Sequence, residues 1–328
     1  MTAAAPRPLR VTIGVLTFRR PAELAGLLPL LLAQAAENSR PDVRVDVLVV
    51  DNDPAGTARE VVADAAHPGG AAAGRAAVRY VVEERPGIAA ARNRVLDEVA
   101  DSDVLVFIDD DERPHAGWLR HLLDTRAACG GATGVVGPVV SAFDGELDPW
   151  VAAGDFFRRR RLPTGTQVSV AATNNLLLDM AAVRSGGLRF EDRFGLAGGS
   201  DTLFTRQLVA RGGALVWCDE ALVTDHVPAG RMTREWVVRR AFRSGNSSCL
   251  VDVDLARSGW GRLRARLRAV VHGSVRLAGG SARWAAGAAG RSTAHRARGV
   301  RTAARGAGML AAAAGVVYRE YRRPVRTG

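Results

Sequence analysis

Three consecutive carboxylates, Asp109, Asp110 and Asp111, follow the apolar run Val104-Leu105-Val106-Phe107-Ile108. A run of β-branched and aromatic residues reads as a buried strand of a parallel sheet. Open α/β sheets bind ligands just beyond the carboxyl ends of such strands. Three carboxylates placed there repel one another unless a positive charge sits among them. Hard cations such as Mg²⁺ or Mn²⁺ take oxygen ligands and commonly bridge one or two carboxylates to substrate phosphates. The alternative is a solvated loop in which one aspartate caps the next helix.

The elements around the triplet alternate. Strand-like segments at 11–17, 45–51, 78–83, 104–109 and 135–140 are separated by helical patterns at 21–36, 57–66, 87–100 and 114–128. That rhythm predicts βαβ units and a mostly parallel sheet flanked by helices. Pro21 and Pro114 stand where two of the helices would begin, a position at which proline is tolerated. After Val140 the rhythm breaks. Residues 141–168 hold Asp144-Gly145, Pro149, Trp150 and four arginines at 158–161, and read as an irregular insertion on the substrate side. A strand at 173–180, a glycine-rich loop, a helix near 201–211 and a strand at 214–218 follow, and 222–226 leads into a helix around 233–249. The expected division is a catalytic domain over 1–228, a helix over 229–255 and an Arg/Ala/Gly-rich helical tail over 256–328.

The chain of 328 residues is 47% hydrophobic, enough for a full core, and carries a net charge of +11. Residues 256–328 hold sixteen arginines and one acid, Glu320, so this tail carries +15 and residues 1–255 carry −4. There is no lysine: all 45 basic residues are arginine. With so much Ala and Gly this reads as a coding bias, which weakens any inference from Arg chosen over Lys. Cys129, Cys218 and Cys249 are widely spaced, which fits a reducing cytosol and argues against a structural zinc site. No apolar stretch of signal-peptide or membrane-spanning kind is seen. The expected location is cytoplasmic, or peripheral at the inner face of the cell membrane.

Several motifs stand in a telling order. Thr17-Phe18-Arg19-Arg20-Pro21 ends the first strand, and Val49-Val50-Asp51-Asn52 ends the second. Gly87-Ile88-Ala89-Ala90-Ala91-Arg92-Asn93 leads into the helix before Phe107-Ile108-Asp109-Asp110-Asp111-Glu112, which Trp118-Leu119 follows. Gly198-Gly199-Ser200-Asp201 opens a later helix, and His226 comes after the last core strand. Over roughly residues 9–250 the chain resembles a family 2 glycosyltransferase of the GT-A fold, an inverting enzyme. The resemblance implies a nucleotide diphosphate-sugar donor, a hydroxyl acceptor (a glycan, a lipid-linked sugar or a small molecule) and a divalent cation, Mg²⁺ or Mn²⁺. Cell-envelope polysaccharide or glycolipid synthesis is the setting it suggests.

On that resemblance Asp111 and His226 hold the metal, and Asp109 faces the ribose or a metal-bound water. Asp110, Thr17 and Arg19 lie with them on the donor side. Asp51 is placed to accept from the nucleobase; its alternative is a turn-forming aspartate in Asp51-Asn52-Asp53-Pro54. Arg92 would reach the nucleotide as a charged donor, or else lie on a solvated helix face. Asp201 is the expected general base, with N-capping of its helix as the alternative. The family carries a Glu-Asp pair there, and Ser200 takes the place of the Glu. Trp150, Asn174 and Asn175 are expected acceptor contacts, although Trp150 would serve equally as core.

Arg262, Arg264, Arg266 and Arg268 alternate with Leu and Ala in a segment compatible with an amphipathic helix, suited to an anionic membrane interface. A packed appendage or a solvated tail is the competing reading. Nucleic acid is not expected, since the tail lacks interleaved aromatics. A sugar-nucleotide nucleotidyltransferase would need a Gly-rich loop after the first strand, and a Walker-type NTPase needs a lysine; neither is present. The remaining alternative is a degenerate transferase fold used as a membrane-binding or scaffolding module.

Overall fold

A computed structural model describes residues 7–67, 77–195 and 198–318. The first half is built of β1 (Leu9–Thr17), α1 (Pro21–Asn38), β2 (Val43–Asp51), α2 (Arg59–Ala66), β3 (Val78–Val82), α3 (Ile88–Glu98) and β4 (Val104–Asp109). Then come β5 (Glu112–Pro114), α4 (Trp118–Ala128), β6 (Gly134–Val136), β7 (Val139–Phe143), α5 (Pro149–Gly154), β8 (Gln167–Val168) and β9 (Asn175–Asp179). The chain continues with α6 (Met180–Ser185), α7 (Ser200–Ala210), β10 (Leu215–Trp217) and β11 (Val223–Val227). It ends with α8 (Arg234–Leu255), α9 (Gly259–Ala289) and α10 (Thr293–Ala313). Residues 319–328 of the tail lie outside the described residues.

Contacts divide the chain into two compact units. The first comprises residues 1–140, 159–192 and 204–225; the second comprises 141–158, 193–203 and 226–328.

The first unit is an eight-stranded sheet in the order β3-β2-β1-β4-β9-β6-β10-β8. β1 pairs in parallel with both β2 and β4, whereas β9 runs antiparallel between β4 and β6. Alternate residues of the central strands face opposite ways, and both faces are covered. Val11, Ile13, Val15, Val47, Val49, Val104, Val106 and Ile108 pack against Leu24, Leu27, Leu28 and Leu31 of α1 and Trp118 and Leu122 of α4. The α1 leucines recur at helical spacing, and each fully buried one contributes about 2 kcal/mol. Leu48, Val50, Leu105 and Phe107 face the other way, onto Ala89, Ala91 and Val95 of α3 and onto Phe190 and Phe204.

Three expected elements differ. The helix expected from Pro114 begins instead at Trp118, after Gly117 in the left-handed region (φ 72°). Pro114 closes the short strand β5, which pairs antiparallel with β11 in the register Val223↔Pro114. The strand expected over 135–140 divides into β6 and β7 at Gly137-Pro138, where proline offers no N–H to continue the ladder. Residues 141–168 are not wholly irregular: the Asp148 carboxylate accepts from the backbone N–H groups of Trp150 and Val151 and starts α5.

The second unit is helical, and glycines set how closely its helices approach. A Cβ added at Gly280 of α9 would stand 2.4 Å from the Ala303 nitrogen of α10, and one at Gly306 would stand 2.5 Å from the Gly273 oxygen. At Gly308 it would lie 1.9 Å from the Phe242 oxygen of α8, and at Gly245 it would lie 2.0 Å from the Arg305 oxygen. These contacts are backbone against backbone, so no flexible side chain can yield. Gly279, next to Gly280, faces open space. The two neighbours therefore differ in sign. Gly279→Ala should stabilise the unit by up to about 1 kcal/mol through helix propensity. Gly280→Ala should destabilise it by roughly 1–3 kcal/mol through overpacking. Urea unfolding of the two single variants checks the pair.

Candidate functional site

Within the first unit, β1 leads by α1 to β2 on one side, while β4 lies on its other side. The crevice at the carboxyl ends of β1 and β4 is thus the switch point at which such sheets bind ligands. The register brings Thr17 beside Asp51 and Leu16 beside Asp109. Residues that end three separate strands are thereby gathered into one row.

The centre of this row is an ion cluster. One guanidinium nitrogen of Arg20, Nη1, donates to Asp110 Oδ1 at 3.0 Å and to Asp111 Oδ2 at 2.9 Å. Thr17 Oγ1 donates to the other Asp110 oxygen at 2.8 Å. Burial works against the Arg20 charge, yet the two aspartates more than offset it and hold the guanidinium above its ordinary range. Burial pushes the Asp110 carboxyl up to about 6; Arg20 opposes the rise and Asp111 adds to it. Arg19, with left-handed backbone (φ 56°), turns the other way and pairs with Asp53 at 3.1 Å. Burial resists ionisation of Asp53, but Arg19 and the Ala55 N–H keep its carboxyl below the usual range.

Glu112 and Asn174 support the triplet from behind. The Asp109 backbone N–H donates to Glu112 Oε2 at 3.2 Å, and Asn174 Nδ2 donates to Oε1 at 2.8 Å. Burial holds the Glu112 carboxyl well above the carboxylate range, and the neighbouring Asp109 adds to the effect. Asn174 is there because β9 pairs Asn175 with Ile108, which leaves residue 174 at the level of Asp109.

Other expected site residues serve the framework. Asp51 is fully buried (0% exposed) and accepts from the backbone N–H groups of Asp53 and Ala58 and from the Tyr80 hydroxyl. It orders the turn after β2, the turn-forming role expected for it as the alternative to a nucleobase contact. Asn175 is also buried. It accepts from Trp118 Nε1 and donates to the Pro138 and Ala221 carbonyls, in space that a side chain on Gly137 would fill. Arg92 is not on a solvated face: it is buried in α3 with its guanidinium 5.4 Å from the Phe190 ring centroid.

Asp201, His226 and Trp150 belong to the second unit. Asp201 lies in the first turn of α7, after Gly198 and Gly199 at φ 78° and 96°, and its carboxylate accepts from the Thr202 N–H at 2.7 Å. His226 is an exposed position of β11, between the buried Asp225 and Val227. Trp150 stacks on Phe156 at 5.2 Å and lies under Arg234, which Asp148 holds at 2.9 Å. Trp150 and Arg234, with Glu235, Val238, Arg239 and Val300, line an open cavity of about 430 Å³.

Arg20, Glu112 and Asn52 stand within the motifs without an expected role of their own. Asn52 joins the end of β2 to the start of α3, donating to the Glu83 and Arg85 carbonyls and accepting from the Gly87 N–H. The one available signal for Arg20 was its place between the end of β1, the strand beside the triplet's own, and a helix-starting proline.

Among the described residues, no three His, Cys, Asp or Glu side chains converge as a preformed metal cluster. The donor set nevertheless fits a hard cation. Its atoms are carboxylate oxygens, and two of them already converge on one cationic group. Because the Asp110 pKa is raised, its stability contribution is fully present below 3.8 and is lost as pH rises through about 6. Wild type should therefore lose on the order of 2–3 kcal/mol relative to Asp110→Asn across that window, measured by urea unfolding.

Residues 12–186 match the family described as Glycosyl transferase family 2. The chain is 36% identical over 239 residues to the succinoglycan biosynthesis protein ExoM of Rhizobium meliloti (strain 1021), covering 73% of this chain and 74% of ExoM. Among solved structures it is similar to S. aureus TarS 1-349 in complex with UDP-GlcNAc, with a TM-score of 0.51 at 14% identity over 88% of this chain and 90% of that one. Against a longer TarS chain the TM-score is 0.50 at 13% identity, and the match spans 79% of this chain and 42% of TarS. The TarS likeness shows a shared fold, the GT-A arrangement expected from the motifs. The ExoM match and the family match together settle the assignment: the chain belongs to glycosyl transferase family 2 and is a glycosyltransferase.

Proposed function

We propose that this glycosyltransferase is a metal-dependent, inverting enzyme that moves a sugar from a nucleotide diphosphate-sugar to a hydroxyl acceptor in polysaccharide or glycolipid synthesis. The observation that carries this reading is the convergence of Asp110 and Asp111 on a single cationic group at the β1/β4 switch point. ExoM is a succinoglycan biosynthesis protein, and TarS 1-349 was solved with UDP-GlcNAc; both fit a sugar nucleotide as donor.

Asp111 would hold the cation, with His226 completing the metal or diphosphate site and Asp109 facing the ribose or a metal-bound water. A bound Mg²⁺ or Mn²⁺ would neutralise charge that grows on the departing diphosphate. Thr17 and Arg20 hold the Asp110 and Asp111 carboxylates in place by their hydrogen bonds. Arg19 offers a cation beside Asp53 for the nucleotide. Inversion by single displacement needs no covalent nucleophile: the acceptor oxygen bonds the anomeric carbon as its bond to the diphosphate oxygen breaks. Asp201 takes the acceptor proton. Trp150 borders an open cavity with Arg234 and would meet a sugar acceptor there. The location that fits this reading is cytoplasmic or peripheral at the inner face of the cell membrane, where nucleotide sugars and lipid-linked acceptors meet.

Calorimetric titration with UDP, GDP and dTDP, with and without Mn²⁺, tests the donor site. One nucleotide should bind in a Mn²⁺-dependent way, and Asp111→Ala should abolish that dependence. Absence of Mn²⁺-dependent binding to all three would overturn the metal-held donor site proposed at the β1/β4 switch point. Asp201→Asn should bind the same nucleotide normally yet lose about 10²–10⁴-fold in transfer rate, followed as nucleoside diphosphate release.

A further inference from the structure

The exposed apolar side chains of this molecule are concentrated on one helix. Of the eleven exposed large hydrophobics among the described residues, eight lie on α9, two follow α10, and one, Leu30, lies elsewhere. Isolated exposed apolar residues need no explanation, but a contiguous set does.

The set is contiguous because of helical spacing. Trp260, Leu263, Leu267, Val271 and Val275 recur every three or four residues and so share one stripe. They are not marginally exposed: Trp260 is 80%, Leu267 56%, Val271 59% and Val275 66% accessible. The side of α9 that packs on α10 is formed by different residues, Ala269, Gly273, Gly280 and Gly287. The helix thus uses its small residues for internal packing and turns its large apolar ones outward, the reverse of an ordinary surface helix. Trp260 and Trp284 stand near its two ends, about 36 Å apart.

Charge identifies the occupant. α9 carries six arginines and α10 four, and neither helix contains an acid. Arg264 and Arg268 flank the apolar stripe, so their heads can reach a plane in which the stripe is immersed. A second copy of this chain would bring the same uncompensated positive charge against its own kind. A nucleic acid would satisfy the arginines but leave the apolar stripe in water. An anionic lipid surface satisfies both, by burying Leu and Val below the headgroups, setting Trp at their level and pairing arginine with lipid phosphate. No described helix is long and apolar enough to cross a membrane. The fitting mode is therefore one that lies in the interface.

We propose that α9 is an interfacial anchor that docks this enzyme flat on an anionic bilayer through the Trp260–Val275 stripe and its flanking arginines. The helix both packs as an appendage through its glycine side and faces lipid through its apolar side, so the two readings of the tail describe opposite faces of α9. The anchor stands apart from the proposed donor and acid–base chemistry, and its test uses no substrate.

The test is co-sedimentation of the full chain with vesicles of phosphatidylcholine mixed with phosphatidylglycerol, against phosphatidylcholine alone. Wild type should sediment with the anionic vesicles and show a blue shift of tryptophan emission that Trp260→Phe reduces. The double variant Leu267→Asp with Val271→Asp, and separately Arg264→Glu with Arg268→Glu, should each bind at least about ten-fold more weakly. Both should keep the wild-type Tm and nucleotide titration, because the substituted side chains lie outside the core and the donor crevice. Three results would overturn the proposal: wild type that stays in the supernatant, an apolar-stripe variant that binds as wild type does, or lipid-free dimers that this variant converts to monomers. The second would mark a purely electrostatic contact, and the third a self-association face.

Discussion

The first unit depends on the in-register parallel pairing of β1 with both β2 and β4. A parallel ladder aligns strand ends, and here it aligns Thr17, Asp51 and Asp109 at one edge. Nothing else in the fold is needed to bring an aspartate-rich loop beside an arginine-bearing one. Once adjacent, Arg20 and the two carboxylates compensate each other. Burial pushes the Asp110 carboxyl up to about 6 although Arg20 opposes the rise, and the same contact holds the guanidinium above its usual range. Such a cluster is costly to desolvate, and it stands where a ligand is to bind, not where the core is densest.

Much of this arrangement was legible in the residues. The long strands and α1 follow from unbroken apolar runs and from leucines at helical spacing, signals carried by many residues at once. The short elements were harder. Glu112–Pro114 forms a strand because β11 offers it a partner from more than a hundred positions away, and no local pattern announces such a pairing. The break at Gly137-Pro138 was marked by the proline but outweighed by the valines around it. The site shows the same contrast. The Asp109–Asp111 triplet announces itself by repulsion alone. The roles of Asp51 and Asn175 depend on burial, and a carboxylate or amide that orders a turn has the same letter as one that holds a ligand. Arg20 was hidden among 45 arginines, where composition dilutes each one's meaning.

The second unit shows how a chain without lysine and rich in glycine can still make a defined helical assembly. Glycine contributes no side chain to interlock, so α8, α9 and α10 approach until their backbones touch. The small residues fall seven apart, at Gly273, Gly280 and Gly287 on one helix and at Gly299 and Gly306 on another. Seven-residue spacing keeps one face of each helix toward its neighbour. The outward residues are consequently released from any packing duty, and their chemistry is free to answer to whatever lies outside.

That economy has a cost in autonomy. Glycine inside a helix is less favourable than alanine by about 1 kcal/mol per residue, and α9 and α10 each contain several. Neither sequence is a persuasive helix in isolation; each is helical because the other's backbone is there to meet it. Loosening of α10 would remove the reason for α9 to stay wound, and the converse holds equally. The pair is therefore expected to melt as a single step, with no half-folded form in which one helix survives its partner. The shape of the outward face is in this sense all-or-none: it exists in full whenever the glycine seam is closed and vanishes in full when it opens.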